Sequence, residues 1–213
     1  MPFGVDEAGK GPVLGSMFAA CVVAEEDVLP PAIADSKSLT PERREELAAQ
    51  LRADPDVSIG LAEIPVSEID DPATDMNELT VAAHARALEA VDVAGAKGYV
   101  DAGDVDADRF GRRVAARADA DLEIRAEHRA DERYPLVSAA SVVAKVARDA
   151  HVVALEEEYD APIGSGYPGD ERTRTFLGEY VETNGELPAC ARRTWKTSAD
   201  VLAAAAQSDL DEF

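Results

Sequence analysis

The chain reads as an α/β protein: a mixed sheet flanked by helices, closed by a helical C-terminal cap. Three observations predict this. Apolar runs of strand length fill the start of the chain, helical periodicity then alternates with short strands, and every periodic segment after Tyr134 is helical. With 213 residues, 46% of them hydrophobic, the chain can bury one sizeable core. Aromatic residues are only 5%, so that core must rest on Val, Leu, Ile and Ala.

Residues 3–6 and 14–24 read as strands, the second nearly continuously apolar, around the turn Ala8-Gly9-Lys10-Gly11-Pro12. A helix over 38–53 starts at an N-cap, Thr40, with Pro41 at its first position and Glu42 in its first turn. Residues 57–64 alternate weakly, as a strand does. Residues 77–94 repeat Leu79, Ala83, Ala87 and Val91 at helical spacing. Residues 98–101 form a short strand ending on Asp101, 106–118 a helix, and 122–126 a strand. Helices follow over 134–158, starting with Pro135, then over 170–183 and 197–206. The expected organisation is a catalytic domain over 1–160, a helical cap over 161–206, and a flexible tail over 207–213.

The formal net charge is -22, which would repel a phosphate backbone. Lysine is scarce, however, confined to Lys10, Lys37, Lys97, Lys145 and Lys196. An acidic, lysine-poor composition resembles that of proteins adapted to a salt-filled cytoplasm. There the Debye length falls to about 3 Å, global repulsion is screened, and local cations can still position a phosphate. No apolar run reaches the roughly 18 residues of a membrane span. The N-terminus lacks a basic stretch followed by an apolar one, so a cytoplasmic protein is expected. Cys21 and Cys190 have no metal-type spacing and read as reduced thiols.

Four acids stand out by position. Asp6 and Glu7 sit where the first strand meets the glycine turn, Asp101 closes a strand, and Asp131 precedes the long helix. Carboxylates so placed can converge on one sheet edge and hold hard cations such as Mg²⁺, which take oxygen ligands. Two such ions can activate water and stabilise the leaving oxygen in phosphodiester hydrolysis. Neighbours on a regular strand face opposite ways. For Asp6 and Glu7 to share a site, the strand is expected to bend there, helped by Gly9.

Several segments together carry a specific resemblance. Gly4-Val5-Asp6-Glu7-Ala8-Gly9-Lys10-Gly11-Pro12, Asp35-Ser36-Lys37-Ser38-Leu39, Met76-Asn77, Tyr99-Val100-Asp101, Asp131 with Tyr134-Pro135, Ser138-Ala139-Ala140-Ser141 with Lys145, Gly164-Ser165-Gly166-Tyr167-Pro168 and Arg193-Thr194-Trp195-Lys196 resemble, in order, the motifs of the type 2 ribonucleases H. The late motifs resemble the archaeal ribonuclease HII branch. The long N-terminal extension of ribonuclease HIII is absent. The resemblance implies a ribonuclease H-like fold and Mg²⁺ or Mn²⁺ in a two-metal site. It also implies hydrolysis of the RNA strand of RNA–DNA hybrids and cleavage 5′ of ribonucleotides embedded in duplex DNA, leaving 3′-hydroxyl and 5′-phosphate ends, as in DNA repair. By the same resemblance Asp6, Glu7, Asp101 and Asp131 are the metal-binding catalytic acids. Gly9, Lys10 and Gly11 read the 2′-hydroxyl and backbone, and Tyr167 reads the RNA–DNA junction. Ser36, Lys37, Asn77 and Lys145 fall in segments that meet substrate. Lys10 stands where many members carry Arg; its point charge suits a phosphate contact rather than a planar bidentate one. A junction resolvase or other ribonuclease-H-like DNA nuclease would use the same acids without a ribose reader. A non-catalytic acidic interaction protein would not need all of them.

His84, His128 and His151 match no metal spacing and read as structural or solvated. Trp195 could stack a base, but an anchor for the C-terminal helix is the favoured reading. Lys37, Lys145 and Lys196 suit either phosphate contacts or ion pairs. Arg109, Arg112, Arg113 and Arg117 read as a solvated face. The ending Gln207-Ser208-Asp209-Leu210-Asp211-Glu212-Phe213 resembles a sliding-clamp-binding peptide, with Gln207, Leu210 and Phe213 as anchors. A monomer is expected.

Overall fold

The computed structural model describes residues 1–33, 39–118 and 121–211, and the side chains of the last helix as far as Gln207. Five strands form one sheet in the order β3-β2-β1-β4-β5: β1 (Phe3–Ala8), β2 (Met17–Val23), β3 (Ser58–Ile64), β4 (Lys97–Asp101) and β5 (Glu123–Glu127). β1, β2 and β3 pair antiparallel, while β1, β4 and β5 run parallel. The helices are α1 (Pro41–Ala53), α2 (Val66–Ile69), α3 (Met76–Glu89), α4 (Ala107–Arg117), α5 (Pro135–Tyr159), α6 (Glu171–Asn184) and α7 (Lys196–Asp211). This is the mixed sheet flanked by helices that the sequence predicts.

The chain forms two compact units. The first comprises residues 1–10, 17–64 and 75–148. Its sheet carries helices on both faces. Ala20 and Val22 of β2 pack with Leu47, Ala48 and Leu51 of α1 and with Leu136, Ala139, Ala140 and Val143 of α5. At Gly4, which pairs with Val22, a Cβ would lie 2.3 Å from the Leu136 backbone, so β1 and α5 touch backbone to backbone. On the opposite face Gly60 of β3, which pairs with Cys21, comes equally close to α3: a Cβ there would meet the Ala87 carbonyl oxygen at 2.1 Å.

The second unit comprises residues 11–16, 65–74 and 149–213. Its core gathers Leu14, Leu155, Ile163, Phe176, Leu177, Val181 and Leu187. Leu14 bridges to Ala191, and the Asp70 carboxylate accepts the N–H of Arg193 at 2.8 Å and of Thr194 at 3.2 Å. Arg192 is fully buried: its Nε donates to the Gly15 carbonyl at 2.9 Å, and its guanidinium lies 4.9 Å from the centre of the Trp195 ring.

These units divide the chain differently from the expected 1–160 and 161–206. The division falls inside α5, and two early segments join the later helices through the contacts just named, which chain order does not reveal. The second strand starts at Met17 rather than at 14, because Gly15 takes φ +77 and Leu14 pairs elsewhere. The helix predicted over 77–94 ends at Glu89. α2 is a single turn, too short to show periodicity. α7 continues to Asp211, past the expected end at 206, so Gln207 is helical and exposed instead of opening a flexible tail. Thr40 caps α1, with the Arg43 N–H 3.3 Å from its hydroxyl, as predicted. Among the described residues no helix is long and apolar enough to cross a membrane. Cys21 and Cys190 are both buried free thiols.

Candidate active site

β1 and β4 run parallel with Val5 opposite Val100, so the acids that follow these residues emerge at the same end of the sheet. Asp6 and Glu7 leave β1 there, and Asp101 leaves β4. Asp131 follows β5 in a 3-10 turn, Ala130–Glu132. That turn opens on Arg129, whose φ of 58 is left-handed and rare for a residue with a side chain. The sharp reversal aims the Ala130 N–H at the Asp101 carboxylate, 2.9 Å away.

The strand does not bend between Asp6 and Glu7, contrary to expectation. Pairing with β2 continues regularly through Ala8, so the two acids face opposite sides of the sheet. Asp6 points to the α5 face and is 5% exposed. It accepts the N–H of Glu7 at 2.7 Å and a hydrogen bond from the Ser141 hydroxyl. Ser141 in turn accepts from Lys145 Nζ at 2.8 Å. Burial, with the neighbouring charges of Glu7 and Asp101, pushes the Asp6 carboxyl well above the ordinary range, and these hydrogen bonds offset only part of the effect.

Glu7 points to the α3 face. Its Oε2 lies 2.7 Å from Nε2 of His84, a fully buried residue of α3. The His84 ring meets Phe110 edge-on at 5.1 Å. Burial raises the Glu7 carboxyl, but the hydrogen bond from His84 and the Lys10 ammonium outweigh it, leaving the group below its ordinary range. Lys10 Nζ also donates to the Gly103 carbonyl. Asp101 is raised by burial and by the charges of Glu7 and Asp131, against the opposing Ala130 N–H.

Hard oxygen donors that repel one another in a desolvated place suit a divalent cation of the Mg²⁺ or Mn²⁺ kind, which supplies the missing positive charge. Among the described residues, no three acid, His or Cys side chains close on a single point at ligand spacing. The acids sit within one another's fields, and the fit lies in the chemistry of the donor set.

The remaining candidates fall in different places. Gly9 is buried with φ +90, and Asn77 is exposed in the first turn of α3, which the Asp75 carboxylate caps through the Asn77 N–H at 2.8 Å. Ser36 and Lys37 lie outside the described residues, as does Phe213 and the side chain of Leu210. In the second unit Tyr167 is 48% exposed, and a Cβ on Gly11 would lie 3.5 Å from its ring. The loop bearing Tyr167 is held by the Ser165 N–H on Asp170 at 2.7 Å and the Gly166 N–H on Thr173 at 2.9 Å. Trp195 is an anchor: it packs on the second core, and its indole N–H reaches the Gly11 carbonyl at 3.3 Å. Lys196 pairs with Asp200 at 2.6 Å, Arg109 with Asp104 at 2.6 Å, and Arg113 with Glu78. His128 is exposed, and His151 accepts from the Ser16 N–H at 3.1 Å. Sequence reasoning missed His84, taken as structural, and the Lys145–Ser141–Asp6 chain. Ser141 and Lys145 stand four residues apart on one helix, a spacing that pairs them, but nothing in the sequence brings Asp6 to the pair.

Comparison with known proteins bears on the family and the fold. The family model described as Ribonuclease HII matches residues 3–198. A Ribonuclease HII of Halobacterium salinarum is 62% identical over 211 residues, 99% of either chain. The crystal structure of ribonuclease H2 from Pyrococcus horikoshii superposes with a TM-score of 0.88 at 36% identity, covering 97% of this chain and 99% of that one. A structure of the complex of PCNA with RNase HII from Archaeoglobus fulgidus gives a TM-score of 0.84 at 36% identity, covering 94% and 96%.

Proposed function

The chain belongs to the ribonuclease HII family, endonucleases acting on RNA–DNA hybrids, and we propose that it also cuts 5′ of single ribonucleotides in duplex DNA, leaving 3′-hydroxyl and 5′-phosphate ends. The acidic, lysine-poor composition and the Halobacterium relative mark an archaeal member from a halophile. The observation that carries the mechanistic reading is the gathering of Asp6, Glu7 and Asp101 at one end of the parallel β1–β4 pair, with Asp131 within the field of Asp101.

Asp6, Glu7, Asp101 and Asp131 would hold two divalent ions, which supply a lowered water pKa and stabilisation of the leaving oxygen. The chain's own groups orient the acids. Ser141, backed by Lys145, fixes Asp6; the Ala130 N–H fixes Asp101; and Lys10 sits beside Glu7. Gly9, Lys10 and Gly11 would follow the substrate backbone. The exposed Tyr167, beside Gly11, would stack at the RNA–DNA junction, and Asn77, Ser36 and Lys37 would add backbone contacts. A 2′-hydroxyl reader is what separates this activity from that of a DNA nuclease.

Incubating a duplex carrying one ribonucleotide with Mg²⁺ or Mn²⁺ in molar KCl, beside an all-DNA control, tests the reading. Cleavage on the 5′ side of the ribonucleotide, with a product 3′ end that a polymerase extends, is expected. Equal cutting of the all-DNA duplex would favour a junction-resolving nuclease instead.

The tail adds a partner. Gln207, Leu210 and Phe213 would dock on a sliding clamp, as the Archaeoglobus relative was solved with PCNA. Tethering would raise the enzyme's local concentration on DNA. Calorimetry with the organism's clamp should show binding by the full chain and none after truncation behind Ala206. Equal binding by both would exclude the tail as anchor.

A further inference from the structure

His84 does more than fill the core. We propose that it is a positioning residue, fixing the rotamer of Glu7 so that one carboxylate oxygen is permanently engaged and the other is left for the reaction. The proposal rests on the reading of Glu7 as a catalytic acid. Its own observations are local.

A carboxylate only accepts hydrogen bonds, so His84 Nε2, 2.7 Å from Glu7 Oε2, must carry a hydrogen. The other ring nitrogen, Nδ1, is buried and has no hydrogen-bond partner among the described residues. The tautomer with hydrogen on Nε2 alone satisfies both facts, because it leaves no orphaned donor inside the protein. The ring cannot swing away: it is fully buried on α3, with Phe110 edge-on against it at 5.1 Å. Glu7 is longer than the other acids and has more rotamers to lose, so it needs a fixed partner more than they do.

The niche is shaped for this. At Gly103 a Cβ would stand 2.6 Å from Thr80 Cγ2 and 3.3 Å from Glu7 Oε1. The missing side chain leaves room for the second carboxylate oxygen. Oε2 thus belongs to His84, and Oε1 lies in the space that Gly103 keeps open. A core histidine serving only as filler could be replaced by any side chain of similar volume. A positioning histidine requires the donor.

The experiment compares His84→Gln, which keeps a donor at similar reach, with His84→Met, which keeps length and volume without one. Both are made in the full chain in molar KCl, beside wild type. The readouts are kcat and KM on the single-ribonucleotide duplex, and Mn²⁺ affinity by calorimetry with the metal alone. Groups that hold metal ligands in place typically contribute about 10- to 100-fold in affinity or activity. H84M should lose that much in Mn²⁺ affinity and in kcat, with KM little changed, while H84Q keeps most of both. Wild-type turnover and affinity in H84M, or equal losses in the two variants, would overturn the proposal. If neither variant folds, ¹⁵N resonances of the wild-type ring decide. A hydrogen on Nε2 with bare Nδ1 is expected, and the opposite tautomer overturns the role. Failure of wild type to cleave the ribonucleotide duplex would defeat the functional assignment instead, with Mn²⁺ affinity still reporting on His84.

Discussion

Asp6 and Glu7 are neighbours in the chain, yet the two faces of the sheet treat them oppositely. On the α5 face, Asp6 is desolvated beside like charges and supported by neutral or shared donors, so its carboxyl is pushed up. On the α3 face, Glu7 is also desolvated but meets His84 and the Lys10 ammonium, so its carboxyl is drawn down. One strand therefore presents one acid that is costly to ionise and one that stays ionised. Asp6 is the acid whose ionisation most needs a bound cation, and Glu7 is held as an anion by the protein itself.

The largest expected effect comes from breaking the α5 side at its centre. Asp6→Asn or Asp101→Asn should cost cleavage far more than the roughly 100-fold attached to groups that merely orient a ligand. Circular dichroism should show the fold intact. Near-wild-type turnover at saturating Mg²⁺ in either variant would remove these acids from the mechanism. Next come the supports. Ser141→Ala should weaken metal binding and turnover by about 10- to 100-fold. Lys145→Ala should follow it in direction, because Lys145 acts through Ser141. A Lys145→Ala effect confined to substrate affinity and its salt dependence would return Lys145 to the role of a phosphate contact. On the α3 side Gly103→Ala tests space rather than charge. Its new methyl would crowd Thr80 and Glu7, at a cost of about 1–3 kcal/mol. For a chain of this size each kcal/mol lowers the melting midpoint by about 2–4 °C. An unchanged midpoint with unchanged activity would mean the niche gives way freely.

A smaller effect reads the two environments through pH, in metal-free protein with a chelator present. Below the ordinary carboxylate range, about pH 4, Asp6 is protonated both folded and unfolded and costs nothing. As pH rises through that range the unfolded chain ionises first, so the Asp6 contribution to stability falls until pH passes its raised folded value. Glu7 runs the other way: its contribution is present above the ordinary range and is lost as pH falls through its lowered folded value. Asp6→Asn should therefore melt higher than wild type at neutral pH while being inactive, and the difference should shrink on acidification. A variant less stable than wild type at neutral pH would contradict the buried repulsion.

The sequence showed where the acids at this end of the sheet emerge better than it showed the architecture around them. The motif around Asp6, the strand closing on Asp101 and the helix start after Asp131 were readable because strand ends and helix starts leave composition signals, as the Thr40 cap did. The opposed facing of Asp6 and Glu7 followed from strand alternation, and the expected bend was unnecessary because the fields of the two acids meet across the strand end. His84 was not legible. It lies in the row of Thr80 and Leu88, buried beside the stripe of Leu79, Ala83 and Ala87, so its setting spells core, and only the fold brings Glu7 to it. The second unit was hidden for a similar reason: nothing local in 65–74 announces that Asp70 caps the backbone of Thr194.

The smallest effect is a difference that should stay constant. With 43 acidic residues against 21 basic, surface repulsion should fall steeply as KCl rises from dilute to molar, where the Debye length is about 3 Å. The melting midpoint should climb with salt for wild type and for Asp6→Asn alike. The repulsion around Asp6 is different in kind. It acts between groups buried side by side, with little room for ions between them, and buried pairs are screened far less than exposed ones. The gap between the two midpoints, measured by circular dichroism at neutral pH without divalent metal, should therefore stay nearly level across the salt series while both curves rise. A gap that closes at molar KCl would mean that salt reaches the Asp6 carboxylate. The cluster would then be an extension of the acidic surface, and the contrast between the two faces of the sheet would be one of exposure rather than of partners.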